Sequence, residues 1–305
     1  MKPTLLFSAL ILLFSYSHAQ KQPGTFKVMS WNILHGGNDV KDGQSSIIQI
    51  IKEINPDVIL MVETYGSGKA IADSLGYNFH LIAPEGTAPD DKNVNLSIIS
   101  RYPFGERIDT KFPFYLGGRE IMIQNQKIRF FSNWFHYLPW ENEPEKLGKT
   151  TAELLVWEKS GTKYEMIQKV LPYLKKYASE TDSIPMILGG DLNTPSHLDW
   201  AKNTKKIHQN LVVPWYATKV LEEIGLVDTY RTLNPDPNAF PGITWHTKGE
   251  KDAHRIDYIF YKSPKLKALK SESFKVFLEE TIKLNGKEIL YPSDHGFVVT
   301  TFKIK

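Results

Sequence analysis

The residues able to do chemistry come in a few short groups. Gly189-Gly190-Asp191-Leu192-Asn193 closes the apolar run that starts at Pro185 and sets an acid and an amide two positions apart. On extended backbone such a pair projects to one side, which suits holding and activating a water. The same letters, followed by Thr194-Pro195, also fit an ordinary turn in which Asx side chains satisfy nearby backbone groups. Four further groups share the pattern of a polar residue beside an apolar run: Asn32 after Ser30-Trp31, Glu63 after residues 58–62, His136 after residues 128–135, and the set Asp257 with Asp294-His295. In open α/β sheets, sites gather where strands end and loops begin, so the coincidence points to one site rather than five turns.

The elements that must position these residues follow from hydrophobic period. Residues 26–33 alternate as a strand, Ile47, Ile48, Ile50, Ile51 and Ile54 recur at helical spacing, and residues 58–62 read as a buried strand ending at Glu63. A short helix is predicted over 71–75, strands over 77–82 and 96–100, and a hairpin over 119–123 and 128–135 that leads into His136. A polar loop follows, then a helix with Met166, Ile167, Val170, Leu171 and Leu174 on one face, where Pro172 predicts a kink or break. Residues 194–215 read as a functional loop with short helices. The tail carries a helix over 218–224, a polar turn over 234–238 and strands over 243–246, 255–261 and 297–304. No repeat or interdomain linker interrupts the chain.

At 305 residues and 41% hydrophobic, the chain can fill the core of one large domain, and disorder is excluded as its overall state. Lys2, an apolar stretch over 5–16 and the small residues before Gln20 predict a secretory signal over 1–19, cleaved after Ala19, with the domain occupying 20–305. Nothing later in the mature chain is apolar for long enough to span a membrane. The absence of cysteine excludes disulfides and thiolate metal sites. Export without disulfides suggests a bacterial periplasmic or secreted protein. Formal charge is only +3, with acids and bases intermixed, so the basic stripe of a polyanion binder is missing. Nucleic acid remains open as a partner, and a monomer is expected.

Taken together, Ser30-Trp31-Asn32, the strand into Glu63, the strand into His136, Gly190-Asp191-Leu192-Asn193, Arg255-Ile256-Asp257-Tyr258 and Ser293-Asp294-His295 resemble, in order and over nearly the whole mature chain, the endonuclease/exonuclease/phosphatase superfamily. The resemblance implies a four-layer α/β sandwich, two packed mixed sheets flanked by helices. It also implies hydrolysis of a phosphate ester by water with Mg²⁺ or Mn²⁺. It places Asn32, Glu63 and Asp294 as metal ligands and Asp191 as the group acting on the water. Asn193 would hold the water or phosphate, and His295, oriented by Asp257, would act as an acid or clamp. His136 would assist the leaving group, and Arg119 would reach the phosphate. His197 and Trp200 in the 196–200 extension, with Trp140, His246 and Asp252, are candidates to shape a substrate pocket, the tryptophans by stacking on a base or sugar. A phosphodiesterase is the preferred activity; an extracellular nuclease and a non-catalytic module that keeps the fold are the alternatives.

This chain departs from relatives in two places without losing chemistry: Asn95 stands where many have glycine, and Asn133-Trp134-Phe135 replaces the usual Asn-Thr lead into the histidine. The Trp-Cys-Asp-Arg signature of inositol polyphosphate 5-phosphatases is absent, which argues against that branch.

Overall fold

The computed structural model describes residues 23–139, 148–246 and 253–305. The predicted signal segment, Trp140 and Asp252 lie outside these residues, as does the side chain of His246. Along the chain run β1 (Thr25–Asn32), α1 (Gly43–Ile54), β2 (Val58–Val62), α2 (Gly68–Leu75), β3 (Asn78–Leu81), β4 (Ser97–Ser100), β5 (Phe104–Ile108), β6 (Leu116–Ile123) and β7 (Gln126–Trp134). Next come α3 (Thr151–Glu158), α4 (Thr162–Ser179), β8 (Met186–Asp191), α5 (Tyr216–Glu223), β9 (Val227–Asp228) and α6 (Thr229–Leu233). The C-terminal third adds β10 (Trp245–His246), β11 (Ala253–His254), β12 (Asp257–Lys262), β13 (Leu266–Phe274), β14 (Thr281–Leu284), β15 (Lys287–Leu290) and β16 (Phe297–Ile304).

Two six-stranded sheets pack face to face, ordered β13-β16-β1-β2-β4-β3 and β5-β6-β7-β8-β12-β9. The pairs β1/β2 and β7/β8 are parallel and the other neighbours antiparallel, so both sheets are mixed. Alternation along β1 shows how the layers arise. Phe26 and Val28 face the second sheet, while Met29 and Trp31 face outward onto Ile47, Ile50, Ile51 and Ile54 of α1. On the far side, Met166, Ile167, Val170, Leu171 and Leu174 lay α4 over the second sheet. Helix, sheet, sheet and helix make four layers, the fold the sequence resemblance implies.

Where the sheets meet under the future site, β8 carries two glycines because nothing larger fits. A Cβ on Gly189 would stand 2.6 Å from Leu60 Cδ1, and one on Gly190 would stand 1.9 Å from the backbone oxygen of Asn133. The first approach sets β8 against β1 and β2 of the opposite sheet, and the second sets it against its own neighbour β7.

Two local expectations are corrected. Of the kink or break expected at Pro172, the break does not occur: helix α4 continues through the proline, because the apolar residues before and after it bury one continuous face that outweighs the lost hydrogen bond, a defect of about 3 kcal/mol. The loop before α4 contains helix α3, started by a capping box in which Thr150 Oγ1 accepts from Glu153 N and Glu153 in turn accepts from Thr150 N.

Candidate active site

Both sheets deliver side chains to one rim. From the first come Asn32 at the end of β1, Glu63 just past β2, and Asp294 and His295 just before β16. From the second come Asp191 at the end of β8, Asp257 at the start of β12 directly opposite it, and His136 two residues past β7. Thus seven predicted site residues on six strand ends share one rim, joined by Asn193.

Asn32 is the bracket between the sheets. Its Nδ2 donates to Glu63 Oε1 at 3.0 Å and to Asp191 Oδ2 at 3.2 Å, while its Oδ1 accepts from Leu34 N. Expected as a metal ligand through its oxygen, Asn32 instead turns its NH2 group toward the acids. Glu63 takes a second bond from His35 N at 3.3 Å, and its own N–H is held by Asn95 Oδ1 at 2.9 Å. Asn95, noted in the sequence only as a departure, therefore anchors a site residue.

The backbone here is bent in ways L residues avoid. Leu34, His35, Glu63, Tyr65 and Asn193 all have positive φ, between 33° and 57°. Each such residue costs about 1–3 kcal/mol and persists only where its surroundings hold it. Asn193 is held by its N–H on Asp191 Oδ1 (2.8 Å) and by its Nδ2 on Asp191 Oδ2 and on the Phe135 carbonyl, both at 2.9 Å. The Asx geometry and the site are one arrangement, which resolves the two readings the sequence left open.

His295 is tied down on every side. Trp31 Nε1 and Tyr291 OH donate to its carbonyl, Ser293 Oγ receives its N–H, and that hydroxyl donates to Asn32 O. Its Nδ1 lies 2.9 Å from Asp257 Oδ2. Burial alone would lower its pKa, but Asp257, Asp294 and Asp191 outweigh burial and hold the imidazolium well above the usual histidine range. Its Nε2 points into a gap, 3.9 Å from Asp191 Oδ2 and 4.0 Å from Asp294 Oδ1. For Asp191, burial is the dominant influence; His295 lowers the carboxyl and Asp257 raises it, leaving it at about 7.

His136 differs in kind. Its Nδ1 accepts from Leu138 N at 3.2 Å and pairs with Thr162 Oγ1 at 2.8 Å. Burial, reinforced by the Lys163 charge, lowers its pKa, so the neutral ring carries its proton on Nε2 and offers an N–H donor.

A hard cation wants oxygen ligands, and the site supplies them in excess of its positive charge. Asp294 Oδ1 and Asp257 Oδ1 are buried and accept no hydrogen bond. Ligand-type atoms of Asp191, Asp257 and His295 also lie within 4.8 Å of one another. Because His295 Nδ1 is committed to Asp257 and the ring is charged, that trio suits proton handling, whereas Glu63 and the orphaned Asp294 oxygen fit a divalent ion.

Three predicted substrate contacts fall elsewhere. Arg119 lies within β6, its Nη1 on Gly105 O and its guanidinium over the Phe104 ring beside Arg107, away from the rim. His197 spends both nitrogens on Thr218 Oγ1 and Glu222. Trp200 is 1% exposed, packed on Trp215 and stacked on His208, with no face left for a ligand. In each case the polar or aromatic side chain is consumed by contacts within the fold: Arg119 on the neighbouring strand, His197 on α5, and Trp200 inside its own loop. Conversely, His35, whose ring pairs with Asp39 at 2.7 Å and stands 3.9 Å from Glu63 Oε2, joins the rim without having been predicted.

Comparison with known proteins bears on the fold and the family. An uncharacterized protein of Caenorhabditis elegans is 30% identical over 277 residues, covering 85% of this chain and 86% of its own length. Similar solved structures include a family protein from Bacteroides thetaiotaomicron (TM-score 0.60, 15% identity, 93% of this chain and 99% of that one). Others are D. rerio TDP2 humanized by 14 mutations (0.58, 18%, 92% and 99%) and an AP endonuclease from Archaeoglobus fulgidus (0.57, 18%, 90% and 98%). The profile of the Endonuclease/Exonuclease/phosphatase family matches residues 29–295. The chain belongs to this family of hydrolytic phosphoesterases and nucleases.

Proposed function

We propose that the protein is an exported phosphodiesterase that uses water as its nucleophile and Mg²⁺ or Mn²⁺ held by Glu63 and Asp294, with Asn32 bracketing Glu63. The observation that carries this reading is the gap at His295 Nε2, bordered at 3.9 Å by Asp191 and at 4.0 Å by Asp294. A proton donor, a proton acceptor and a metal-type ligand face one space too wide for them to bond directly.

When bound, the ion supplies Lewis-acid neutralisation of phosphoryl charge. Asp191, whose pKa sits near neutrality, orients the water and takes its proton as the water oxygen bonds to phosphorus. Asn193 fixes the Asp191 carboxylate through two hydrogen bonds without adding a charge that would repel the phosphate. As the ester P–O bond breaks, the His295 imidazolium faces the charge that develops and returns a proton to the leaving oxygen, with Asp257 stabilising the ring. His136 adds a neutral N–H donor. Two histidine donors suit a singly charged diester whose alkoxide leaving group needs a proton.

The test is a panel of bis-aryl phosphate, DNA, RNA, sphingomyelin and sugar phosphodiesters, each with Mg²⁺ or Mn²⁺ and with chelator. Metal-dependent cleavage of a diester supports the proposal, and turnover of none sinks it. D. rerio TDP2 has been solved with a single-strand DNA product, so preference for DNA over the small diesters would make this chain a nuclease instead. Export is supported by Lys2, the apolar stretch over 5–16 and the small residues before Gln20. N-terminal sequencing of the mature protein checks it, with Gln20 as the expected first residue.

A further inference from the structure

Lys163 is the second residue of α4 and is only 1% exposed. Two costs attend that position. Burial of an ammonium is expensive, and the first turn of a helix is the end where a positive charge is least welcome. Burial brings the Lys163 pKa down to about 8 even though Glu158 and Asp191 pull it upward. An apolar side chain of similar length would fill the space without either cost, so packing does not account for a lysine.

What the lysine holds accounts for it. Its Nζ donates to the backbone oxygen of Asn193, the left-handed residue on which the turn after β8 depends. Its own backbone N–H is fixed on Leu138 O at 2.9 Å, beside the loop that carries His136. The nearby acid Glu158 spends its two oxygens on Tyr216 N and Ala217 N, capping α5, which ties this corner to a third helix.

We propose that Lys163 is a positioning residue whose buried ammonium, donating to the Asn193 carbonyl, holds the Asp191–Asn193 turn in its left-handed form so that Asp191 faces the phosphate. It acts through Asn193 by the hydrogen bond and through His136 by its charge.

The inference rests on the phosphoesterase reading, and its test separates the two. Lys163→Met, Lys163→Gln, Lys163→Arg and Asp191→Asn are made in the full chain and assayed on bis(p-nitrophenyl) phosphate with Mg²⁺, with His136 titrated by NMR. Loss of a group that orients a catalytic residue costs about 10–100-fold, so Lys163→Met should lose that much kcat with KM little changed. Lys163→Arg should recover most of it, and His136 should titrate at higher pH in Lys163→Met than in the wild type. A folded Lys163→Met with kcat within about threefold of wild type overturns the proposal, as does an unmoved His136 titration. If Lys163→Met does not fold, Lys163→Gln is judged by the same two criteria. Should Asp191→Asn also keep its activity, the catalytic reading falls; if Asp191→Asn is dead and the Lys163 variants are not, only the positioning role falls.

Discussion

Two buried charged clusters flank the start of β12, and they are built on opposite principles. In the first, Arg255 binds Asp199 with two nitrogens (2.7 and 3.1 Å) and Asp228 with a third (2.6 Å), while Arg231 adds Nε to Asp199 at 2.8 Å and its backbone N–H to Asp228 at 3.1 Å. Two acids meet two guanidiniums, and all four carboxylate oxygens accept. Two residues further along the chain, the second cluster sets Asp257, Asp191 and Asp294 around one buried imidazolium, with Glu63 joined to Asp191 through Asn32 and orphaned oxygens on Asp257 and Asp294. The first cluster is a clamp joining the loop after β8, α6 and β12. The second is under-neutralised, and strained backbone surrounds it. The difference teaches that an unbalanced buried cluster is held together by its neighbours for a purpose other than stability.

Breaking the unbalanced cluster should therefore destroy turnover and spare the fold. Asp191→Asn or His295→Ala is expected to lower kcat on the order of 10³-fold or more, read in steady-state assays. Asp294→Asn removes one of several mutually repelling carboxylates, so without metal its Tm should equal or exceed that of wild type. In the wild type, by contrast, Mg²⁺ should raise Tm and chelator should reverse the rise; this response should vanish in Asp294→Asn. A Tm loss in Asp294→Asn without metal would show that the two clusters do not differ as described.

The balanced cluster should behave in reverse. Arg255→Met strips the main partner from Asp199 and Asp228 at once, and removal of one member of a buried ion pair costs about 3–5 kcal/mol. Denaturant unfolding should show that loss, while kcat per folded molecule should fall far less than in Asp191→Asn.

The clamp was not foreseen from sequence, and the reason is physical: Asp199, Arg255 and the Asp228–Arg231 helix start come from separate parts of the chain, and only the N-cap spacing from Asp228 to Arg231 is a local rule. The rim, by contrast, was largely legible, because each of its members sits at the end of an apolar run whose period announces a strand. Missed elements fall into two kinds. Thr150-x-x-Glu153 and Asn285-Gly286, the latter turning β14 into β15 with φ of 49° and 78°, are local signals that were present and unread. Strand β13, with Lys267, Leu269, Lys270 and Glu272 among its residues, has a polar pattern that only pairing with β16 makes a strand. The residues chosen on type alone, Arg119, His197 and Trp200, are the ones whose side chains are engaged by other parts of the fold.

A pH series sharpens the contrast further. The folded pKa of His295 lies well above that of a free histidine, about 6.5, so its charge contributes stability fully below that pH, and the contribution is lost as pH rises through the raised value. Activity that needs the imidazolium has its alkaline limb at the same raised value. Asp257→Asn removes the partner at 2.9 Å and should move that limb to lower pH, as seen in kcat/KM profiles. In the clamp, Arg255 spends its nitrogens on Asp199 and Asp228, and Arg255→Met should leave the limb where it is. Coincident alkaline limbs in the wild type and Asp257→Asn would show that another group sets it.

The smallest effects belong to residues whose chemistry is consumed within the fold. Trp200 packs its ring between Trp215 and His208, and His197 is capped at both nitrogens, so neither has a surface to offer a substrate. Trp200→Phe keeps an aromatic ring but leaves a void, and should cost stability of about 1–3 kcal/mol. KM should stay within about twofold for every diester tested, since uniform binding is lost only when a contact to substrate is removed. Arg119→Met should be quieter still, because the lost bond to Gly105 O sits at a sheet edge open to water. A KM that rises tenfold in Trp200→Phe with unchanged kcat would mean that the loop after β8 opens to bind substrate, and that its closed packing is one of two states rather than a fixed wall.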